Sequence, residues 1–273
     1  MPLLPRLQKL MLEHRFRPSQ KLSQNFIVSE QLLDSMVNAA ELSEKDTVLE
    51  IGAGVGFLTE RLLEKSRVVA VEFDEMMCEI LEQRFSGNKN FTLIKGDFLS
   101  AKLPKFNKIV SLPPYRISSE IMLRLFREDF EFAVIVFQRE FVQKLMAEPG
   151  FMERSYLSVL TELLFDAKII QANIPPRAFY PKPESYSALV KFTRNKAHTP
   201  KNLGSFIIFL KEVFRYKNKD FPNSLKNAAK AQKKLKIKAD SILPYLQKIG
   251  VDGEKTNMIS TKDFLAVFRK ISP

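Results

Sequence analysis

The spacing of apolar and polar residues changes several times along this chain. Short runs rich in β-branched and aromatic residues, typical of buried strands, alternate with amphipathic stretches that are typical of helices. The strand-like runs are residues 47–51 (TVLEI), 67–71 (RVVAV), 91–95 (FTLIK), 108–111 (KIVS) and 131–137 (EFAVIVF), and the amphipathic stretches include GFLTERLLEK, DEMMCEILEQRF and SSEIMLRLFR. Ser29 is placed to cap one further helix. This alternation predicts an α/β fold whose mostly parallel sheet has helices on both faces.

The last third of the chain follows a different pattern. Residues 166–193 predict two more strands around a proline-rich loop, so that a sheet of seven strands ends in an antiparallel hairpin. Residues 194–202 have no apolar period and contain a proline, which predicts a linker. Beyond it every segment has helical spacing, and the last helix begins at Ser260 with Asp263 as its capping-box partner. We therefore predict a domain over residues 1–195 and a small all-helical domain over residues 196–273.

Charge distinguishes these two parts. From residue 191 onward there are 19 lysines and arginines against 6 acidic residues, whereas residues 1–190 are nearly neutral. Neutralising a polyanion releases condensed counterions, so a basic domain beside a neutral one favours nucleic-acid binding. The alternatives are a solvated lysine-rich surface and, with less support because aromatic anchors are missing, an anionic membrane. The candidate RNA-binding residues are Arg215, Lys217, Lys219, Lys226, Lys230, Lys233 and Lys234.

Composition narrows the chemistry and the compartment. One cysteine cannot form an internal disulfide, and two histidines give no cluster with metal-ligand spacing, so we expect no metal. Charged residues interrupt the first seventeen positions, which argues against a secretion signal or a membrane span. We expect a cytoplasmic protein and, because no apolar segment is unaccounted for, a monomer. The alternative reading of the first residues is an amphipathic organellar presequence.

A glycine loop carries the sharpest local signal. Gly52, Gly54 and Gly56 have the spacing G-x-G-x-G between a predicted strand and a predicted helix, unlike the G-x-G-x-x-G of loops that bind a pyrophosphate. S-adenosylmethionine has no phosphate, and its amino-acid and ribose portions need only a close approach to the backbone. Glu72 and Asp97 follow the next two strands, where carboxylates can accept hydrogen bonds from ribose hydroxyls and from the adenine amine. Together these features predict an S-adenosylmethionine site, although either acid alone is as consistent with a surface carboxylate.

Three more segments resemble a known family. The run KLSQNF at residues 21–26, the loop PPRAFYPKPESYS at 175–187 and the run LPPYRISS at 112–119 resemble elements of the KsgA-type small-subunit rRNA adenine dimethyltransferases. The resemblance covers nearly the whole chain and implies a class I methyltransferase domain, of Rossmann-like fold, followed by a helical domain. It also implies that Gln24, Asn25 and Ile27 lie at the cofactor, and that Phe179 flanks the target base.

The run at residues 112–119 departs from that family at one position. The family carries asparagine where this chain has Leu112, and the asparagine oxygen accepts a hydrogen from the poorly nucleophilic adenine amine. Leucine has no side-chain acceptor. The remaining candidates are the carbonyls of Pro113 and Pro114, the ring of Tyr115 and the hydroxyl of Ser111. Core packing is the alternative role for Tyr115 and Phe179.

Four functions follow from these observations. The first is S-adenosylmethionine-dependent dimethylation of two adjacent adenosines near the 3′ end of small-subunit rRNA, coupled to ribosome biogenesis. The second, motivated by Leu112, is an RNA-binding ribosome-assembly factor of the same fold that has weak or no activity. A third is methylation of large-subunit rRNA, as in the erythromycin-resistance methyltransferases. A small-molecule methyltransferase is the fourth, and the charge of the last third argues against it.

Overall fold

The computed structural model describes residues 2–197, 199–231 and 239–271. Their contacts form two compact units. The first contains the residues up to Val142 together with Ala167–Arg194, and the second contains Gln143–Asp166 together with the residues from Asn195 onward. None of the described helices is both long enough and apolar enough to cross a lipid bilayer.

A mixed sheet forms the centre of the first unit. Seven of the described strands pair in the order β4-β3-β2-β5-β6-β9-β7. Strands β2 to β6 run parallel in their pairings, and β9 is antiparallel to β6. The predicted α/β class and the seven-stranded sheet are confirmed. The strands of the protein are β1 Phe26–Ile27, β2 Thr47–Ile51, β3 Arg67–Glu72, β4 Phe91–Lys95, β5 Lys108–Ser111, β6 Phe132–Gln138, β7 Phe165–Ile174, β8 Phe179–Tyr180 and β9 Ser187–Arg194.

The short strands β1 and β8 form a separate antiparallel pair that the sequence did not predict. Two residues are too few to show a period, and their pairing joins segments about 150 positions apart. This pair holds the N-terminal segment against the proline-rich loop. It therefore contributes directly to the wall of the site described below.

Helices alternate with the strands of the sheet, as predicted. They are α1 Leu3–Glu13, α2 Glu30–Ala39, α3 Phe57–Leu63, α4 Glu75–Phe85, α5 Ser118–Leu125 and α6 Arg139–Leu145. Ser29 caps α2, since its hydroxyl oxygen accepts the N–H of Leu32 at 3.3 Å. Helix α1 was not predicted, although Leu3 and Leu7 recur at helical spacing and are buried in the core.

The second unit is helical and has an aromatic core. Its helices are α7 Tyr156–Leu164, α8 Leu203–Phe214, α9 Phe221–Ala231, α10 Ala239–Lys248 and α11 Thr261–Ile271. The rings of Phe206, Phe209 and Phe268 pack with centroids 5.0–6.1 Å apart. Phe264 contacts Phe214 and Phe221 in the same way. Such buried aromatic clusters supply much of the hydrophobic stabilisation of a small helical unit.

The segment Gln143–Asp166 belongs to this second unit, whereas the sequence analysis placed it in the N-terminal domain. Arg154 links this segment to the rest of the unit, and its side chain is fully buried. Its guanidinium donates to the Ala147 carbonyl at 2.8 Å, to the Glu162 carboxylate at 3.1 Å and to the Thr261 hydroxyl at 3.0 Å. Because Thr261 begins α11, this network joins two stretches of the unit that lie about 100 residues apart. No local sequence pattern reveals such a connection.

A buried ion pair joins the amino ends of the central strands β2 and β5. Asp46 accepts hydrogen bonds from Lys108 at 3.0 Å, from Asn107 at 2.7 Å and from the Ser43 backbone and hydroxyl at 2.7 and 2.9 Å. Burial raises the pKa of this carboxyl, but the bonds from Asn107, Lys108 and Ser43 outweigh it and lower the pKa to about 2. The pair fixes the end of the sheet opposite the site.

This pair gives the protein a defined acid sensitivity. Because the folded-state pKa of Asp46 lies below its usual value near 3.8, its contribution is present above about pH 4 and is lost as the pH falls towards 2. The difference corresponds to about 2 kcal/mol in the free energy of unfolding. We expect Asp46→Asn to lose about 2–3 kcal/mol at pH 6, where Lys108 stays buried without its counter-charge, and less at pH 2.5. Urea unfolding at both pH values checks this, and an equal loss at both would contradict it.

Candidate active site

A cavity of about 250 Å³ lies beside the carboxyl ends of β2, β3 and β5 in the first unit. This is the edge of a parallel sheet where ligands bind, next to the point at which the strand order reverses. Eleven of the predicted site residues line it: Gln24, Asn25, Ile27, Gly52, Gly54, Glu72, Asp97, Leu112, Pro113, Pro114 and Tyr115. Two others, Ser111 and Phe179, do not. No group of acidic, histidine or cysteine residues in the described part of the chain is arranged to hold a metal ion.

The glycine loop forms one wall of the cavity between β2 and α3. Gly52 and Gly54 have φ angles of +74° and +56°, a conformation that side chains with a Cβ rarely adopt. A Cβ on Gly54 would also lie 3.1 Å from the ring of Phe26, and one on Gly52 would lie 3.3 Å from Pro114. The glycines therefore let three chain segments close around one space.

Glu72, at the end of β3, binds this loop through its carboxylate. Its Oε2 accepts the Gly54 N–H at 2.8 Å, and its Oε1 accepts the N–H groups of Phe73 and Asp74 at 2.8 and 2.9 Å. Burial raises the pKa of Glu72, while these three bonds act in the opposite direction. A carboxylate oxygen has two acceptor sites, so Oε2 retains one for a hydroxyl in the cavity.

Glu50 also lines the cavity, although the sequence analysis did not name it as a site residue. It is 2% exposed, and its Oε2 accepts the Thr59 hydroxyl at 2.7 Å. Burial raises the pKa of Glu50 to about 8, and the negative charge of Glu72 contributes to this rise. The hydrogen bond from Thr59 and the positive charge of Arg84 act in the opposite direction. The sequence does place Glu50 next to the site, because it stands two residues before the first glycine of the loop. It does not show that Glu50 is buried, since burial depends on tertiary packing.

The N-terminal segment closes the cavity on another side. The Gln24 side chain accepts the Ser19 N–H at 2.8 Å and donates to Asp74 at 2.8 Å, while Asp74 caps α4. Asn25 donates to the Ser23 carbonyl at 3.1 Å, and Ile27 is buried in β1. Gln24 therefore links the N-terminal segment to the start of α4. This arrangement explains why a run near the N-terminus lies at a site built mainly from strand ends.

Asp97 and Phe73 lie at the open part of the cavity. Asp97 is exposed, and its Oδ1 accepts the Leu99 N–H at 2.9 Å. Phe73 follows Glu72 directly and is 62% exposed although it lines the cavity. An aromatic ring left in solvent beside a cavity offers a face for a planar ligand group. The sequence analysis missed Phe73, because an aromatic residue after a strand is ordinarily part of the core.

Tyr115 is held by a hydrogen bond to the start of β9. Its hydroxyl lies 2.7 Å from the hydroxyl of Ser187, which is fully buried. Burial raises the pKa of Tyr115 to about 12, so the phenol is neutral at physiological pH. Its ring thus has a fixed position in the cavity wall. The hydroxyl end of Tyr115 is therefore packed in the core, as the alternative role predicted, but the residue also lines the cavity.

Ser111 does not face the cavity. Its hydroxyl donates to the Ile51 carbonyl at 2.7 Å and accepts the Ile51 N–H at 3.3 Å, so it bridges β5 to β2. The side chain is fully buried. The expectation that Ser111 replaces the missing asparagine, or contacts the cofactor, does not fit this geometry. Its hydrogen-bonding capacity is used within the sheet.

Phe179 also lies elsewhere than expected. It pairs with Ile27 in the β1–β8 ribbon, and its side chain is 1% exposed within the hydrophobic core. Phe179 therefore has the alternative role, core packing. It could contact a base only if its ring moved out of the core. The sequence could not decide the matter, because a proline-rich loop does not show which way its aromatic side chains turn.

The predicted RNA-binding residues that the structure describes fall in the second unit. Lys219, Lys226 and Lys230 are exposed, and the last two stand four residues apart on α9. Arg215 pairs with Glu212 at 3.0 Å, and Lys217 donates to the Met152 carbonyl at 2.7 Å. Lys233 and Lys234 lie outside the described residues. The basic character predicted for this part of the chain is thus carried on the surface of the unit.

Comparison with known proteins places the chain in a family. Residues 14–250 match the model of the family described as ribosomal RNA adenine dimethylase. The chain belongs to this family. A relative from Methanococcoides burtonii, named "Probable ribosomal RNA small subunit methyltransferase A", is 44% identical over 204 residues, which cover 74% of this chain and 75% of the relative.

Two solved structures of transferases have the same fold. The crystal structure of a dimethyladenosine transferase from Plasmodium falciparum is 25% identical with a TM-score of 0.78, and covers 90% of this chain and 98% of that one. That of the 23S rRNA methyltransferase ErmE is 25% identical with a TM-score of 0.67, and covers 91% of this chain and 100% of that one. The resemblance inferred from the sequence and the class I methyltransferase fold are confirmed.

The raised pKa of Glu50 makes stability depend on pH in a testable way. The folded protein keeps a proton on Glu50 up to about pH 8, whereas the unfolded chain releases it near 4.5. Glu50 therefore lowers the free energy of unfolding as the pH rises from about 4.5 to about 8. We expect Glu50→Gln, which cannot ionise, to gain on the order of 2–4 kcal/mol relative to the native protein between pH 5 and pH 8. Urea unfolding at both pH values measures this, with exposed Glu79→Gln as control, and parallel pH profiles for Glu50→Gln and the native protein would contradict it.

The bond between Tyr115 and Ser187 should appear as a coupling between the two side chains. Tyr115→Phe and Ser187→Ala each leave one buried hydroxyl without its partner, and the double variant removes both. We expect a coupling of about 1 kcal/mol in the free energy of unfolding from a double-mutant cycle. Ser187→Thr, which keeps a hydroxyl, should recover part of the loss. Strictly additive effects of the two substitutions would show that the hydroxyls do not interact.

Proposed function

We propose that this ribosomal RNA adenine dimethylase homologue transfers methyl groups from S-adenosylmethionine to the exocyclic amines of two adjacent adenosines near the 3′ end of small-subunit rRNA. The single observation that carries the proposal is the juxtaposition, in one cavity, of the Glu72-bound glycine loop and the Tyr115 wall. The first feature suits a nucleoside cofactor and the second a planar base. The name of the archaeal relative supports the small subunit as the source of the RNA.

The residues of the cavity fit S-adenosylmethionine. This cofactor supplies an electrophilic methyl group on a sulfonium, and with its ammonium and carboxylate groups it remains a cation overall. Glu72 offers an acceptor for a ribose hydroxyl, and exposed Asp97 can accept from the adenine amine. The free face of Phe73 can cover the adenine ring. The carboxylates of Glu72 and Asp97, which both line the cavity, favour a cationic ligand over an anionic one.

Activation of the target amine falls to backbone groups in this chain. Leu112 lines the cavity without a polar atom, and Ser111 is bound to Ile51. The Pro114 carbonyl accepts the Ile117 N–H at 3.3 Å, a long bond that leaves its second acceptor site available. We infer that the carbonyls of Pro113 and Pro114 accept the hydrogens of the amine while the ring of Tyr115 stacks on the base. Loss of one preorganised polar group costs about 3 kcal/mol in a transition state, so we expect slow transfer.

A second candidate function rests on the same departure at Leu112. The chain would then bind RNA and the cofactor as a ribosome-assembly factor with weak or no turnover. Family membership favours the enzyme, because the family is defined by adenine dimethylation. We propose that the protein acts as a monomer in the cytoplasm, and that the exposed lysines of the second unit bind phosphates without reading sequence.

Transfer of a labelled methyl group tests the two functions against each other. Purified protein is incubated with S-adenosylmethionine and with immature small ribosomal subunits that lack the modification, and the modified bases are mapped. We expect label on adjacent adenosines of the small-subunit rRNA. Tight binding of both cofactor and subunits without any label would exclude the enzyme and favour the assembly factor. Label on large-subunit rRNA alone, offered in parallel, would favour the activity named for ErmE.

Substitution of Leu112 tests the role of the missing acceptor. We expect Leu112→Asn to raise kcat, by up to about a hundredfold, because the amide oxygen restores an acceptor for the amine. Leu112→Met is the matched control, since it has similar volume and no strong acceptor, and its kcat should stay near that of the native protein. Single-turnover kinetics with the same subunits measure both. An unchanged or lower kcat for Leu112→Asn would mean that the backbone carbonyls already meet the requirement.

A further inference from the structure

The cavity has an uneven distribution of charge. Its acidic lining residues are Glu50, Glu72 and Asp97, and among the described residues that line it Arg116 is the only cation. Because burial raises the pKa of Glu50 to about 8, the negative charge comes from the carboxylates of Glu72 and Asp97, which favour a cationic ligand and disfavour a phosphate inside the cavity. A nucleotide of RNA can therefore enter with its neutral base only, and its phosphates must stay at the mouth.

Arg116 is the basic residue of the described lining that is available to such a phosphate. It directly follows Tyr115, lines the cavity and is exposed to solvent. In the part of the chain that the structure describes it has neither an ion pair nor a side-chain hydrogen bond. Glu120, four residues further along, does not pair with it. This arginine therefore keeps all its donors for a ligand.

The backbone that carries Arg116 is held on both sides. The Tyr115 hydroxyl bonds to Ser187 at 2.7 Å, and the Ser118 hydroxyl donates to the Tyr115 carbonyl at 2.8 Å. The turn Tyr115–Ile117 leads directly into α5. The backbone position of Arg116 is thus tied to that of the ring that would stack on the base. A mobile loop would lack this fixed relation.

We propose that Arg116 binds a phosphate adjacent to the target adenosine and so sets the depth to which the base enters the cavity. This inference rests on the proposed function, because it assumes an RNA substrate. The contact would be a charge-assisted hydrogen bond at the edge of the site, separate from the phosphate contacts of the second unit. Arg116 would therefore position the RNA without contacting the reacting atoms.

The salt dependence of RNA binding tests this directly. The probe is an unmodified transcript of the 3′-terminal region of small-subunit rRNA, and its affinity is measured between 50 and 300 mM potassium chloride. Loss of one phosphate contact lowers the slope of log Kd against log salt by about 0.7–1. We expect this change for Arg116→Gln, together with about tenfold weaker binding at low salt. Arg116→Lys keeps the charge and should keep the native slope.

Matched controls separate this proposal from general effects. Arg127 is also exposed, just beyond the far end of α5, and Arg127→Gln should leave the slope unchanged. The affinity of Arg116→Gln for S-adenosylmethionine should equal that of the native protein. Its KM for RNA should rise with the loss of affinity, whereas a collapse of the catalytic loop would also lower the affinity for S-adenosylmethionine.

Three results would overturn the proposal. A native slope for Arg116→Gln would show that no phosphate contact is lost. A slope for Arg116→Lys as low as that of Arg116→Gln would mean that the guanidinium plane contacts a base instead. An equal change for Arg127→Gln would indicate a non-specific charge effect. If the native protein bound the transcript without salt dependence, the proposed function would fail as well, whereas native binding with any of these three results removes only the role of Arg116.

Discussion

The acceptance of three backbone N–H groups by the Glu72 carboxylate is the interaction on which the site depends. A buried carboxylate is costly unless its acceptors are satisfied, so the surrounding backbone must adopt the positions that satisfy it. One oxygen fixes the glycine loop through Gly54, and the other fixes the start of α4 through Phe73 and Asp74. Asp74 in turn binds Gln24 of the N-terminal segment. A single carboxylate thereby determines where three walls of the cavity meet.

The opposite wall is organised by two serines that lie outside the cavity. Ser111 bridges β5 to Ile51 of β2, and Ser187 holds the hydroxyl of Tyr115. Both hydroxyls are bonded within the protein, and neither residue lines the cavity. Because Leu112 also offers no acceptor, the polar groups of this wall are backbone carbonyls. The chemistry that the wall can support is therefore set by main-chain geometry more than by side-chain identity.

The two units differ in the charge of their residues. The lining of the cavity in the first unit includes the carboxylates of Glu72 and Asp97, while Lys219, Lys226 and Lys230 are exposed in the described part of the second unit. Under the proposed function, the lysines would attract the RNA and the carboxylates would repel its phosphates. This contrast would favour entry of an uncharged part of the RNA into the cavity. It gives a physical reason why a base, rather than a phosphate, would be presented for reaction.

Local spacing was enough to predict the alternation of strands and helices, the glycine loop and the acidic residues at strand ends, because each depends on only a few neighbouring residues. The resemblance to the family rested on equally local runs, and both the family and the fold are confirmed. Packing between distant segments settles that Phe179 turns into the core, that Ser111 bridges two strands and that Gln143–Asp166 belongs to the second unit. The exposure of Phe73 and the hydrogen bond between Tyr115 and Ser187 also depend on tertiary structure. In each case the deciding neighbour or solvent exposure comes from chain segments far apart in sequence, and only folding brings them together.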